Sequence, residues 1–235
     1  MTQLHLRAPL LERGVFLYNN AMSKPPLFHT QECTDPDCGF RFPALVAEND
    51  LKTCPKCGSP LHSAGQAYPR HSLGEGQNPP NPLEVHVLLD NIRSLYNVGS
   101  IFRTAEALGV QKLHLCGMTA TPENPRLAKT ALGAEKLVAW EQHNNGVAAA
   151  QLLRQQQFEL WAIEGGERSA SLFEMPHPVG VRKIALVIGN ELAGVDPDIL
   201  SISDRILYIP MLGEKESLNL TVAFGIAAYF VRYLE

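Results

Sequence analysis

"YIPMLGEKESLNLTVAFGIAAYF", residues 208–230, joins a strand-like YIPM to a long apolar run through a glycine, a charged stretch and the triplet Ser217-Leu218-Asn219. Ser and Asn at the mouth of an apolar helix are first of all capping residues. Their side-chain oxygens accept from N–H groups that a helix start leaves unbonded. Capping alone explains the helix but not the charged loop before it, so the reading turns on what precedes the stretch.

Five apolar segments precede or enter it: "LEVHVLLDNI" (83–92), "KLHLCG" (112–117), "FELWAIE" (158–164), "KIALVIG" (183–189) and "RILYIPM" (205–211). Each is short and rich in branched residues, which predicts buried strands. Between them lie helical patterns: "NVGSIFRTAEALG" (97–109), with Gly109 as its stop, a short one in "NPRLAKTAL" (124–132), and "GVAAAQLLRQQ" (146–156). A helix of about four turns follows Asn219. Strand–helix alternation implies an α/β fold, a mainly parallel sheet with helices on both faces. In such sheets ligands bind beyond the carboxyl ends of the strands. The residues just after each strand are therefore the ones to inspect.

The totals set bounds. The chain has 235 residues, 45% of them hydrophobic, enough for one large domain or a medium one with a small one. A net charge of −4 disfavours a sequence-blind nucleic-acid binder, although it leaves room for a local basic groove. Charged residues interrupt the apolar ones in "MTQLHLRAPLLERGVF", and no apolar run reaches the ~18 residues of a membrane span. A soluble, cytoplasmic protein is expected.

Composition changes across "GQAYPRHSLGEGQNPPNP" (65–82), where Pro, Gly and Asn dominate. This predicts a lobe over residues 1–64, a linker over 65–82 and the α/β domain over 83–235. The lobe carries Cys33 and Cys38 in "CTDPDC" and Cys54 and Cys57 in "CPKCG". Two close pairs with this spacing match a four-thiolate zinc ribbon. Disulfides are the other use of such pairs, disfavoured without a secretory signal. A lobe this small gains from metal binding what its core cannot supply. His29 and His62 flank the cysteines. Cys116, at a strand end, reads as a small core residue.

Three strand ends carry more polar groups than packing needs. After the first strand come Asn97, Gly99 and Arg103; after "KIALVI" come Gly189, Asn190, Glu191 and Gly194; after "RILY" come Ile209, Met211, Gly213, Ser217 and Asn219. A helix start with a nearby Arg suits an anion. The second motif lacks the three glycines of a dinucleotide fingerprint, which argues against a nicotinamide-dependent oxidoreductase. Singly, each is explicable as turn and cap chemistry.

Together, "NIRSLYNVGSIFRTAEALG", "VIGNELAGV" and "IPMLGEKESLNLTVAFGIAAY" resemble the three motifs of the SpoU (TrmH-like) RNA ribose methyltransferases of the SPOUT superfamily, over about residues 84–235. The resemblance implies S-adenosylmethionine as methyl donor, a deep C-terminal trefoil knot forming the donor site, a homodimer, and a tRNA or rRNA substrate. It implies Asn97, Arg103, Glu191, Ser217 and Asn219 as the catalytic constellation, with Arg103 acting on the partner's site. Gly189, Ile209, Met211 and Leu218 are implied as donor contacts. Ser94 stands where many members carry Asp, and the N-terminal lobe differs from the commoner extensions. Two alternatives stay open: a base-nitrogen RNA methyltransferase of the same superfamily, and a catalytically silent RNA-binding protein on this scaffold.

Overall fold

The computed structural model describes residues 27–46, 52–69, 83–175, 180–215 and 217–233. The expectation for the N-terminal stretch 1–26, and that for linker residues 70–82, lie outside them. The chain forms two compact units: everything described before Leu83 belongs to the smaller, everything from Leu83 on to the larger. Among the described residues no helix is long and apolar enough to cross a membrane.

The smaller unit is a three-stranded antiparallel sheet of β1 (Leu27–Cys33), β2 (Arg41–Leu45) and β3 (Leu61–Pro69), in the order β2-β1-β3. Strand β3 runs through Gly65 into the stretch expected to be linker. Thr30 pairs with Ala64 while Phe28 pairs with Tyr68, so the register shifts beside Gly65, whose φ is +80°. A glycine-containing bulge breaks the period-two pattern that would have marked the strand.

The larger unit is built on seven strands: β4 (Glu84–Asp90), β5 (Lys112–Cys116), β6 (Ala139–His143), β7 (Glu159–Ile163), β8 (Ala170–Ser171), β9 (Lys183–Ile188) and β10 (Arg205–Tyr208). They lie in the order β6-β5-β4-β9-β7-β10-β8, and every pairing is parallel. Alternate residues feed two cores. Val85, Val87 and Leu89 of β4 pack on the face covered by α1 (Leu95–Ala107), α2 (Ala128–Ala131) and α5 (Leu220–Tyr233). Leu88 packs on the opposite face, with α3 (Gly146–Gln155) and α4 (Pro197–Ile202). Burial on both faces is what a parallel sheet demands.

Local chemistry sets the helix ends. Ser94, where an Asp is common in the resemblance, caps α1: its Oγ accepts from Asn97 N at 3.3 Å. Val98, Ile101, Phe102 and Ala105 form the buried stripe of α1, and Gly109 (φ +62°) follows its end. In α5, Phe224, Ala227, Ala228 and Val231 repeat the same spacing. The buried Arg232 ties α5 down by donating to the carbonyls of Leu83 and Gly109 at 2.9 and 3.0 Å.

Histidines 86, 114 and 143 form a diagonal ladder across β4, β5 and β6 on the face of Leu88. Burial lowers all three pKa values, to about 4 for His86 and about 3 for His114, so the rings are neutral near pH 7. Burial likewise pushes the Cys116 thiol up to about 12, in keeping with a core residue rather than a nucleophile.

Candidate active site

The loops that follow β7, β9 and β10 converge on one cavity of about 730 Å³. Its lining includes Asn97 at the start of α1, Glu164 and Gly165 after β7, Gly189 to Glu191 after β9, and Ile209 and Met211 after β10. Ser217, Leu218 and Asn219 close it at the start of α5. Eight of the nine residues named for catalysis or donor contact thus face one space; the ninth, Arg103, does not line it.

Glu191 fastens two of these segments together. Its Oε1 accepts from Ser94 N and Asn97 Nδ2 and its Oε2 from Arg93 N, each at 2.9 Å. The carboxylate therefore bridges the loop after β9 to the start of α1. Burial pushes its pKa up, but the N–H groups of Arg93 and Ser94 and the Asn97 amide outweigh that and hold it below the usual value.

The loop after β9 is closed on itself. Asn190 and Gly194 exchange two backbone hydrogen bonds at 2.9 Å, and Asn190 Oδ1 accepts from Leu192 N and Ala193 N. The Asn190 amide donates to the Asn91 carbonyl at 2.6 Å, and Glu164 Oε2 accepts from Val195 N at 3.0 Å. A Cβ on Gly189 would lie 2.2 Å from Gly194 C and Val195 N. The sequence suggests that this glycine admits a ligand to the backbone; it is first required by the chain's own return at residues 194–195. In sequence, Asn190 reads only as part of a strand-end motif and Glu164 as the last residue of a strand. The signal for Glu164 was its place directly after the "ELWAI" strand.

Asn219 caps α5. Its Oδ1 accepts from Thr221 N at 2.9 Å and from Thr221 Oγ1 at 2.6 Å, and its carbonyl accepts from Val222 N and Ala223 N. Ser217 and Leu218 precede the helix and line the cavity without capping it. Arg103 lies six residues past Asn97, roughly 9 Å along the helix axis. Its side chain is exposed and makes no hydrogen bond or ion pair among the described residues.

Residues 84–229, more than half of the chain, match the SpoU rRNA Methylase family. The chain belongs to that family. Among curated SpoU relatives, a tRNA (guanosine(18)-2′-O)-methyltransferase of Aquifex aeolicus is 33% identical over 144 residues, 61% of this chain and 66% of that protein. A 23S rRNA (guanosine(2553)-2′-O)-methyltransferase of Bacillus subtilis is 31% identical over 148 residues, 62% of this chain and 57% of that one. The chain thus spans somewhat less than two thirds of these relatives' lengths. The crystal structure of an AdoMet-bound rRNA methyltransferase from Sinorhizobium meliloti superposes with a TM-score of 0.57 at 26% identity, covering 63% of this chain and 56% of that one.

The cysteine unit lies outside the SpoU match. Its four thiols, Cys33, Cys38, Cys54 and Cys57, lie within 4.8 Å of one another. Cys33 and Cys57 sulfurs are 3.4 Å apart, and those of Cys38 and Cys54 3.9 Å, all of them free. Those separations are too long for disulfides, whose sulfurs lie about 2.05 Å apart. They bracket the roughly 3.8 Å between sulfurs placed tetrahedrally around an ion at about 2.3 Å. Each pair ends in a glycine with positive φ, Gly39 (+52°) and Gly58 (+81°). Lys56 N points at Cys54 Sγ at 3.4 Å, the backbone-to-sulfur contact of a metal knuckle.

Proposed function

We propose that this SpoU-family protein transfers a methyl group from S-adenosylmethionine to a ribose 2′-hydroxyl of tRNA or rRNA, as a cytoplasmic homodimer. The observation that carries the reading is the meeting of Asn97, Glu191, Ser217 and Asn219 around a single cavity, inside the family match. The cavity volume of about 730 Å³ suits a small-molecule donor. The deep knot is part of the same reading, supported by the convergence of three separate strand-end loops on that space.

Bound S-adenosylmethionine supplies an electrophilic methyl carried on a sulfonium. Gly189, Ile209, Met211 and Leu218, which line the cavity, would hold it. Transfer would form a C–O bond at the ribose 2′-oxygen as the donor's carbon–sulfur bond breaks, with the hydroxyl proton passing to solvent. A ribose hydroxyl is a weak nucleophile at neutral pH, so the residues must position it and stabilise the charge it develops. Ser217 and Asn97 orient it, Asn219 fixes the start of α5, and Glu191 fixes the start of α1. A guanidinium stays protonated, so Arg103 grips the neighbouring phosphate and stabilises the developing alkoxide rather than acting as a base.

Arg103's absence from its own cavity supports its use in the partner's site. The exposed Val222, Tyr229 and Tyr233 of α5 supply an apolar face for that partner. In the smaller unit, Cys33, Cys38, Cys54 and Cys57 hold one structural zinc ion. The thiol spacing supports it, and the unit extends to Pro69 rather than ending at residue 64.

The test is methyl transfer from labelled donor to total tRNA and rRNA, followed by nuclease digestion. A 2′-O-methylnucleoside is expected. Label on a base nitrogen would replace this reading with base methylation, and RNA binding without transfer would replace it with a silent binder.

A further inference from the structure

We propose that His114, Glu141 and His143 bind a divalent transition-metal ion on the larger unit, at a site apart from the donor cavity. Register brings the three together. His114 of β5 lies opposite Glu141 of the edge strand β6, and Cys116 lies opposite His143, so all three side chains share one face. One ligand atom from each lies within 4.8 Å of the others. His114 Nδ1 and His143 Nε2 are 2.9 Å apart. Two nitrogens each about 2.1 Å from one ion, at right angles, are about 3.0 Å apart. The Glu141 side chain is 49% exposed and closes the remaining gap once it leaves its ion pair with Lys112.

A relay behind His114 sets it apart from a chance cluster. His86 Nε2 faces Glu84 Oε1 at 3.5 Å, and His86 Nδ1 lies 3.2 Å from His114 Nε2. With Glu84 ionised, His86 carries its proton on Nε2 and accepts through Nδ1. His114 then carries its proton on Nε2, which leaves the Nδ1 lone pair turned toward His143. Metal-ligating imidazoles are held in this way, their second nitrogen engaged by an outer partner. Two imidazoles at right angles and a carboxylate, with solvent-facing positions left open, suit a six-coordinate first-row ion such as Ni²⁺.

Without an ion, His143 Nε2–H donates to His114 Nδ1. An ion bound at Nε2 takes that proton's place, and the proton moves to His143 Nδ1, so the neutral ring changes tautomer without net proton release. Lys112 Nζ, 3.3 Å from Glu141 Oε2, opposes binding and has to swing into solvent as the ion takes that oxygen. The bound ion would cross-link β6 to its neighbour β5.

The experiment titrates Ni²⁺ into the full chain, its cysteine site already loaded with zinc, by calorimetry in two buffers of different ionisation enthalpy. Wild type is expected to take up one equivalent of Ni²⁺ with the same observed enthalpy in both buffers, because the neutral imidazoles release no net proton. His143→Asn and Glu141→Gln, both at partly exposed positions, are expected to weaken uptake at least tenfold while keeping the wild-type circular dichroism spectrum. No Ni²⁺ uptake by wild type would overturn the proposal. So would unchanged affinity and stoichiometry in both variants.

Discussion

Replacing Glu191 by Gln tests whether the bridge between the loop after β9 and the start of α1 holds the site together. The carboxylate accepts three hydrogen bonds, from Arg93 N, Ser94 N and Asn97 Nδ2. Glutamine can keep its oxygen where Ser94 and Asn97 donate. Its NH2 group then meets Arg93 N–H, donor against donor. Losing one charge-assisted bond and leaving a donor unpaired costs about 1–3 kcal/mol. At 2 kcal/mol, the thermal midpoint falls by about 4–8 °C for a unit of this size. If the bridge also positions the donor loop, a similar penalty on the transition state lowers kcat/KM by roughly thirtyfold. Calorimetric unfolding and a methyl-transfer assay measure the two effects separately. Wild-type melting together with wild-type kcat/KM in Glu191→Gln would refute the reasoning.

Arg103→Ala is expected to abolish methyl transfer with donor affinity unchanged. Mixing it with an Asn97→Ala chain should restore activity through hybrid dimers, and mixtures as inactive as their parents would count against a shared site. Gly189→Ala puts a Cβ 2.2 Å from the backbone at residues 194–195, so it should destabilise the larger unit and abolish donor binding in a calorimetric titration. Chelating zinc should unfold the cysteine unit while the seven-stranded unit keeps its spectrum, as hydrogen exchange resolved by residue would show. Because Glu191 titrates below its ordinary value of 4.5, its contribution is complete above that pH. It is lost as pH falls through the lowered folded value, so the acid limb of a stability–pH curve should flatten in Glu191→Gln.

Strands buried on both faces were legible as short apolar runs, and β4, β5, β7 and β9 fall where those runs are. Other elements were not, two of them in the larger unit for plain reasons. The edge strand β6, "AWEQH", is half exposed and carries polar residues that hide its pattern, and α4 spans only Pro197–Ile202, too short to show a helical period. The candidate site was legible because its residues follow strands, and of the nine residues that the three motifs imply, eight line one cavity. What sequence could not show was how they are held. Asn190 and Glu164 read as strand-end residues until the closed loop is seen around them. Arg103 enters the cluster only through the resemblance, which implies action in the partner's site; six positions along α1 it does not line the cavity that Asn97 lines.

The loop after β9 folds with the N–H groups of Asn190, Leu192, Ala193, Gly194 and Val195 already bonded within the chain. A ligand meeting such a socket has little chain left to order on arrival. Donor association should then be fast and nearly rigid-body, with an entropy change governed by displaced water rather than by the protein. Discrimination between the intact donor and its demethylated product would rest on the fit of a fixed mould, and product inhibition would follow from that rigidity.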